Sequence, residues 1–499
     1  MMRKVQDRQM MLGEVDISQI KFDGKSRDEI PQLLRGLQYI YCTPELKDKV
    51  FSLLEGRIAV ARSGRRGMDL WKILVPGVIR LNCDWNYDKL KEMADNHLAL
   101  RKMLGHSLDC MKDPKYPLQT LKDNVGLLTP ELLDAINVLV VQGGQNLVKK
   151  KGDVLRGRGD SFVVETNVHY PTDINLLFDA TRKTVEITSG LCEELGIPGW
   201  RQSAHQMGVL KKCFRICQKS KRSMSKDPQK QERKMEKDRQ LHRDYINKAG
   251  ELLGRAEESL VLIVKSGCDD LTLLKMAPAE MYLRDGVHQI DLITRRVLGG
   301  EKIPHEEKIF SLFERHTEWI SKGKAGVPQE LGKRICIVED KYGFVLSHML
   351  MNKIGDKEAV VPFIEKVKKL FPELYSCSFD KGFWSSDNKE NLEEIISVAL
   401  PRPGRLSKDA KEYQSSTAFT EARKKHSAVE SCINALENHG LGRCPDRGIK
   451  NFERYISLAV LGRNIQKLGT VLIDKEKKSR VRSEKIKEGL MRKKFASAA

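Results

Sequence analysis

Apolar positions along this 499-residue chain fall into two alternating patterns. Up to about residue 150 they recur every three to four residues, the spacing of one buried helix face. "TPELKDKVFSLLEGRIA" opens with Thr43 as an N-cap and Pro44 at the first helical position. "GMDLWKILVPGVIRL" is apolar enough for a core helix, with Pro76 expected to kink or break it. "NYDKLKEMADNHLALRKMLGH" puts Tyr87, Leu90, Met93 and Ala94 on one face. "TPELLDAINVLVVQGGQNLVKKK" repeats the start at Thr129 and Pro130, with Gly143 and Gly144 as a candidate interruption. This block predicts an all-helical N-terminal domain over 1–150. It is compatible with a DNA-binding helix-turn-helix element or with a dimerisation bundle.

The period then shortens. "DSFVVETNVHYPTD" carries a β-rich run at Phe162, Val163 and Val164, ended by His169, Tyr170 and Pro171. From about 180 to 325 the chain reads as polar helices. Then "KRICIVED" and "GFVLSHMLMNK" read as two strands joined by a tight turn at Asp340–Gly343. Asp356 is expected to cap the helix "KEAVVPFIEKVKKLF". A strand ending at Asp380 follows, then a helix from near Asp387, a short strand in "ISVALPRPG", and helices through "FTEARKKHSAVESCINALENHG" and "NFERYISLAVLGRNIQKLG".

With the polar helical block set aside, the order is three strands, helix, strand, helix, strand, helix. That is the order of the ribonuclease H-like fold, split after its first strand. The predicted class is therefore α/β and α-rich: a ribonuclease H-like catalytic core in two parts, 151–180 and 330–472, around a basic helical insertion at 181–329. The helical domain at 1–150 precedes it and a basic tail at 473–499 follows.

Charge changes the picture next. Lys and Arg total 88 against 68 Asp and Glu, a formal net charge of +20, which favours a polyanionic partner. The surplus is clustered: residues 211–243 hold 13 basic and 4 acidic side chains. Lys221, Arg222, Arg233 and Lys234 in that stretch are candidate phosphate contacts; the plainer alternative is a solvated helix pair around Lys226–Pro228. The tail from Asp474 to Lys494 holds 10 basic against 4 acidic residues and reads as a frayed basic helix or a disordered arm. The 11 cysteines are scattered, which argues for reduced thiols, and Cys213 and Cys217 lack a second pair at zinc-ligand spacing. There is no run of 18 apolar residues and no signal-peptide core in "MMRKVQDRQMML", so a cytoplasmic protein without membrane contact is expected.

In a ribonuclease H-like fold, acids on the first strand, the fourth strand and a late helix converge. Here those positions carry Asp160, Asp380 and Glu430. Three converging carboxylates repel one another unless divalent cations sit between them. Hard oxygen donors suit two Mg²⁺ or Mn²⁺ ions, which activate a water or a 3′-hydroxyl and stabilise the leaving oxygen. The competing assignments are Asp173 for the first acid, Glu421 and Glu437 for the third, and a loop cap for Asp380. Glu339 and Asp340 read as turn residues.

"GDSFVVETNVHYPTDINLLFDATRK", "FDKGFWSSDN" and "KKHSAVESCINALENHGLGRCPDRGIKNFERYISLAVLGRNIQKLG" resemble bacterial insertion-sequence transposases of the DDE type, and among these the ISNCY family. The resemblance runs from about Leu70 to Gly469. It implies that Asp160, Asp380 and Glu430 are the catalytic and metal-binding triad, although Ser161 and Phe162 follow the first acid where relatives often have Thr-Thr. His426 falls one turn before Glu430, where related transposases carry an Arg that holds a phosphate. Lys381, Arg423, Lys424 and Lys425 lie near the acids in sequence and are candidate contacts to the scissile and flanking phosphates. Trp384 is a candidate stacking platform for an unpaired terminal base or a hydrophobic cover for the sheet end.

The function implied is transposition: metal-dependent cleavage at the element's terminal inverted repeats, then strand transfer into target DNA, by a homodimer on double-stranded DNA in a prokaryotic cytoplasm. Two rivals are a metal-dependent nuclease without strand transfer and a transposase-derived DNA-binding protein without catalysis.

Overall fold

The computed structural model describes residues 3–4, 14–58, 67–106, 115–220, 227–321 and 329–496, with side chains to Lys487. Among the described residues, seven α-helices precede the first strand: α1 Glu29–Cys42, α2 Pro44–Arg57, α3 Leu70–Asn82, α4 Tyr87–Asn96, α5 Leu98–Met103, α6 Leu118–Val125 and α7 Pro130–Val148. Strand β1 spans Leu155–Thr166, and α8 Asp173–Glu194, α9 Ser203–Ser220, α10 Pro228–Lys265 and α11 Asp270–Ile293 follow. The chain continues through β2 Glu318–Ser321, β3 Gln329–Asp340, β4 Val345–Met351, α12 Asp356–Leu370, β5 Leu374–Ser378, α13 Ser386–Ile395 and β6 Ser397–Ala399. It ends with α14 Lys408–Ser415, α15 Thr417–His426, α16 Ala428–Leu436, β7 Arg443–Cys444 and α17 Ile449–Ala496. The protein is helix-rich mixed α/β with one mixed sheet.

The sheet order is β2-β3-β1-β5-β6, with β4 also on β3 and β7 also on β1. Strand β1 runs antiparallel to β3 and parallel to β5, and β5 runs parallel to β6. The β3–β4 turn forms as the sequence predicts. Asp340 is fully buried, its carboxylate accepts the Tyr342 and Phe344 N–H groups, and Gly343 takes φ 87°.

The chain divides into two compact units, residues 168–319 and the remainder. The expected boundary at 181 moves upstream. Amphipathic α8 buries Ile174, Leu177, Val185 and Leu191 in a core of its own with Tyr245, Leu252 and Leu253 of α10, so the insertion starts at Val168. The expected separation of 1–150 from 330–472 is also replaced by a single core. Leu33, Leu37, Val78, Ile136 and Val140 of the N-terminal helices lie in one cluster with Ile335, Phe363, Phe452, Leu461 and Ile465. The C-terminal helix α17 is the common partner, packing against α1, α3, α7 and β4. Fully buried Asn464 ties three elements together: its amide donates to Asn137 of α7 (2.7 Å) and to the Val345 carbonyl of β4 (2.8 Å), and its oxygen accepts the Val345 N–H (2.9 Å).

Both proposed helix breaks are absent. Helix α3 passes through Pro76, and α7 passes through Gly143 and Gly144, where the Phe344 ring rests against the glycine. The long helix expected through Glu430 is instead divided at Ser427 into α15 and α16. The tail is the continuous end of α17. The ten described cysteines are all free thiols. No single helix among the described residues is long and apolar enough to cross a membrane.

Helices α1 and α17 meet backbone to backbone. A Cβ on Gly36 would lie 2.1 Å from the Ile465 carbonyl oxygen, and one on Gly469 would lie 1.8 Å from that of Gln32. Gly36→Ala is therefore expected to lower the urea midpoint. Forcing the helices apart costs about 1–3 kcal/mol, more than the roughly 1 kcal/mol that Ala gains over Gly in a helix interior. A raised midpoint would mean that the two helices do not meet at this point.

Candidate active site

The parallel register of β1 and β5 brings two of the sequence-predicted acids side by side. Arg158 is paired with Ser378. Two residues further along each chain stand Asp160, within β1, and Asp380, just beyond the end of β5, near enough for the Asp380 carboxylate to act on that of Asp160. Between Arg158 and Asp160 sits Gly159, where a Cβ would come within 2.3 Å of the Phe379 ring. The bare glycine lets Phe379, fully buried, pack against β1 beside the acids.

Asp160 lies inside β1 rather than at its end. It is partly buried, and its Oδ1 accepts the Ser161 N–H at 2.8 Å. Burial pushes its carboxyl up to about 6; the Ser161 N–H opposes this, while the neighbouring Asp380 and Asp356 carboxylates add to it. The Asp356 carboxylate is the group that sequence reasoning missed. It occupies the first turn of α12, whose N-cap is Gly355, and its Oδ1 accepts the Ser161 hydroxyl at 2.7 Å. Arg334 of β3 stands 3.7 Å from the same oxygen. Ser161 thus tethers Asp160 through its backbone and Asp356 through its side chain.

Asp380 begins the single turn Lys381–Phe383 beyond β5, and its side chain is 50% exposed. Two side chains of α15 hold it. Arg423 of α15 donates to the Phe379 carbonyl (2.8 Å) and approaches Asp380 Oδ1 at 3.3 Å. His426, last residue of α15, places Nε2 at 3.3 Å from the same oxygen and Nδ1 at 3.0 Å from the Ser378 hydroxyl. His426 beside Asp380 holds its carboxyl below the usual range against the effect of burial, and Arg423 adds to this.

These contacts revise two expected phosphate ligands. His426 is 4% exposed, wedged between Ser378 and Asp380, and Arg423 is engaged by Phe379 and Asp380. Both act on the carboxylate instead of facing solvent. Trp384 is partly buried against the core, with the Arg402 guanidinium 5.1 Å above its ring, which fits a covered sheet end better than an open stacking platform. Lys381, Lys424 and Lys425 are exposed; Lys425 is 3.7 Å from Glu421. Glu430 is exposed in the first turn of α16, which packs on β1; it is not among the principal influences on Asp160 or Asp380. The rival Asp173 lies in the helical insertion, 2.6 Å from Arg296. Glu339 pairs with Arg158 at 3.4 Å. In the basic stretch, Arg233 is exposed and Lys234 partly so; Lys221 and Arg222 lie outside the described residues.

Among the described residues, no three His, Cys, Asp or Glu side chains are grouped closely enough to hold a metal ion as they stand. The donor chemistry of Asp160 and Asp380 nonetheless suits a hard cation. Each is tethered through Oδ1, while Oδ2 accepts no hydrogen bond from the described residues. The raised Asp160 carboxyl marks negative charge that the protein's own donors leave uncompensated. No known family model matches the chain, and no curated protein or solved structure matches it.

A folded-state carboxyl raised to about 6 destabilises the native protein once pH exceeds its unfolded value, because ionisation is then easier in the unfolded chain. The penalty is absent below about pH 4 and complete above about pH 6. Asp160→Asn keeps an oxygen for the Ser161 N–H and is expected to stabilise the protein at pH 7, by on the order of 2–3 kcal/mol, and to be neutral at pH 4. Thermal melts at the two pH values check this; equal effects at both would remove Asp160 from the charge cluster.

Proposed function

We propose that this chain is a DNA transposase of the DDE type, acting at the ends of an insertion sequence. The observation that carries the reading is the proximity of Asp160 in β1 to Asp380 just beyond the parallel neighbour β5, in the segments that resemble the transposase motifs. The strand order supports a ribonuclease H-like core. Strands β1, β3, β4, β5 and β6 come in the expected sequence, and β1 lies between an antiparallel and a parallel neighbour.

In this reading Asp160, Asp380 and, as third acid, Glu430 would hold the divalent cations. Bound there, the cations supply Lewis-acid activation of the attacking water or 3′-hydroxyl and charge relief at the leaving oxygen. The protein's own work is positioning. Ser161 fixes Asp160, Arg423 and His426 fix Asp380 through Oδ1, and exposed Lys381, Lys424 and Lys425 meet the DNA phosphates. Cleavage at a terminal repeat exposes a 3′-hydroxyl. The same centre then directs that hydroxyl at a target phosphodiester. Joining two ends in concert calls for a homodimer on the DNA.

One observation favours a second reading, a DNA-binding protein that no longer cuts: no three-ligand group is assembled among the described residues. One assay separates the two. A labelled terminal-repeat duplex incubated with Mg²⁺ is expected to be nicked and then joined to target DNA. Cutting without joining points to a nuclease, and binding without cutting points to the non-catalytic protein. Asp380→Asn is expected to abolish cleavage, at least about 100-fold, while end binding stays within about twofold, because it removes a charge from the reacting centre and not from the DNA surface. A variant that cuts at the wild-type rate would take Asp380 out of the mechanism.

A further inference from the structure

The C-terminal part of α17 has no place in the site above, and its basic side chains stand on a helix that leaves the body of the protein. Among the described side chains, Ile473 is the last buried residue of the helix, and the last ion pair to the body is Glu476 with Arg35 at 2.7 Å. From Asp474 to Lys487 every side chain is exposed, although the helix runs on to Ala496. Lys477, Lys478, Arg480, Arg482, Lys485 and Lys487 have no ion-pair partner among the described residues, even though Glu484 lies in the same stretch.

The basic run of the insertion behaves differently. There Lys230 lies 3.8 Å from Asp227, and Glu236 faces both Arg239 and Arg243 at 3.5 Å. Its charge is partly neutralised internally, whereas that of the α17 extension is not.

The spacing on the helix adds direction. At 100° per residue, Lys478, Arg482 and Lys485 fall within about 60° of one another, a single basic stripe at i, i+4 and i+7. Arg480 and Lys487 fall on the opposite side. A helix with no buried face gains nothing from packing, and a row of like charges at one-turn spacing destabilises it. An anionic partner reverses the sign of that effect. DNA is the partner whose charge repeats along a rod, and a straight basic helix can follow its backbone or enter its major groove.

We propose that the α17 extension is a duplex-DNA-binding arm, and that its Lys478–Arg482–Lys485 stripe contacts backbone phosphates. The assignment extends the transposase reading but does not need its chemistry, because phosphate attraction is independent of cleavage.

The test uses the full-length protein and a labelled random-sequence 30-base-pair duplex, with affinity followed by anisotropy from low to high salt. Neutralising the stripe (Lys478→Gln, Arg482→Gln and Lys485→Gln together) is expected to reduce the slope of log affinity against log salt by about 2.7, roughly 0.9 per lost phosphate. Neutralising Arg480 and Lys487 instead is expected to reduce it by clearly less than the corresponding 1.8. Circular dichroism shows whether the variants keep their helix. An unchanged slope in a stripe variant that stays folded, with the parent still binding, overturns the arm and leaves the transposase reading standing. The arm is equally overturned if the stripe variant changes oligomeric state by light scattering while its DNA affinity holds, which would make the helix a self-association surface. If the parent binds no duplex at any salt, both proposals fall together.

Discussion

Placing a carboxylate inside a strand, near a second one just beyond the end of the neighbouring strand, is the constraint around which the centre of this protein is arranged. Burial raises the proton affinity of Asp160, and the nearby Asp380 and Asp356 carboxylates add to it. The protein offsets this unevenly. Asp380 receives two partners, His426 and Arg423, and stays easily ionised. Asp160 receives one backbone N–H and remains the reluctant acid of the pair. Such asymmetry between adjacent acids is a common mark of functional sites, because a structural core has no use for unrelieved charge.

The rest of the fold holds that arrangement in register. Strand β5 lies against β1 because Gly159 leaves room for the Phe379 ring. The end of α15 is fixed over β5 by the Ser378–His426 contact and by Arg423 on the Phe379 carbonyl. On the far side of β1, β3 and β4 are braced by α17, which also gathers the N-terminal helices into the same core. Removing those helices would expose the apolar faces of α17 and β4, so they are part of the body that carries the site. The insertion has a core of its own and interrupts the chain between β1 and the remaining strands.

The +20 net charge is likewise not evenly available. Some basic residues act inside the structure: Arg80, 2% exposed, pairs with Asp446 at 2.6 Å and joins α3 to the segment before α17. Others are balanced on the surface, as Arg295 is by Asp291, Glu301 and Glu307. A count of charges along a sequence window cannot separate these cases from cations that face only water, because an acidic partner can come from any distance along the chain.

By itself the sequence determined those features that local chemistry controls. The order of helices and strands followed from apolar period. The Asp340–Gly343 turn followed from a short polar side chain and a glycine, and Asp380 beyond a strand end followed from where the β-rich run stops. Where a local reading was sufficient, it also misled. Asp356 could be explained completely as a helix-start acid, so nothing marked it as a neighbour of Asp160. His426 and Arg423 lie in a cationic run and read as phosphate ligands, until the packing of α15 against β5 turned them inward. The boundary at Val168, the shared core of the N- and C-terminal segments and the free helix beyond Ile473 rest on contacts between residues hundreds of positions apart. Periodicity tells which face of an element seeks burial. Only the tertiary structure decides what covers that face, and therefore which charges are left to act.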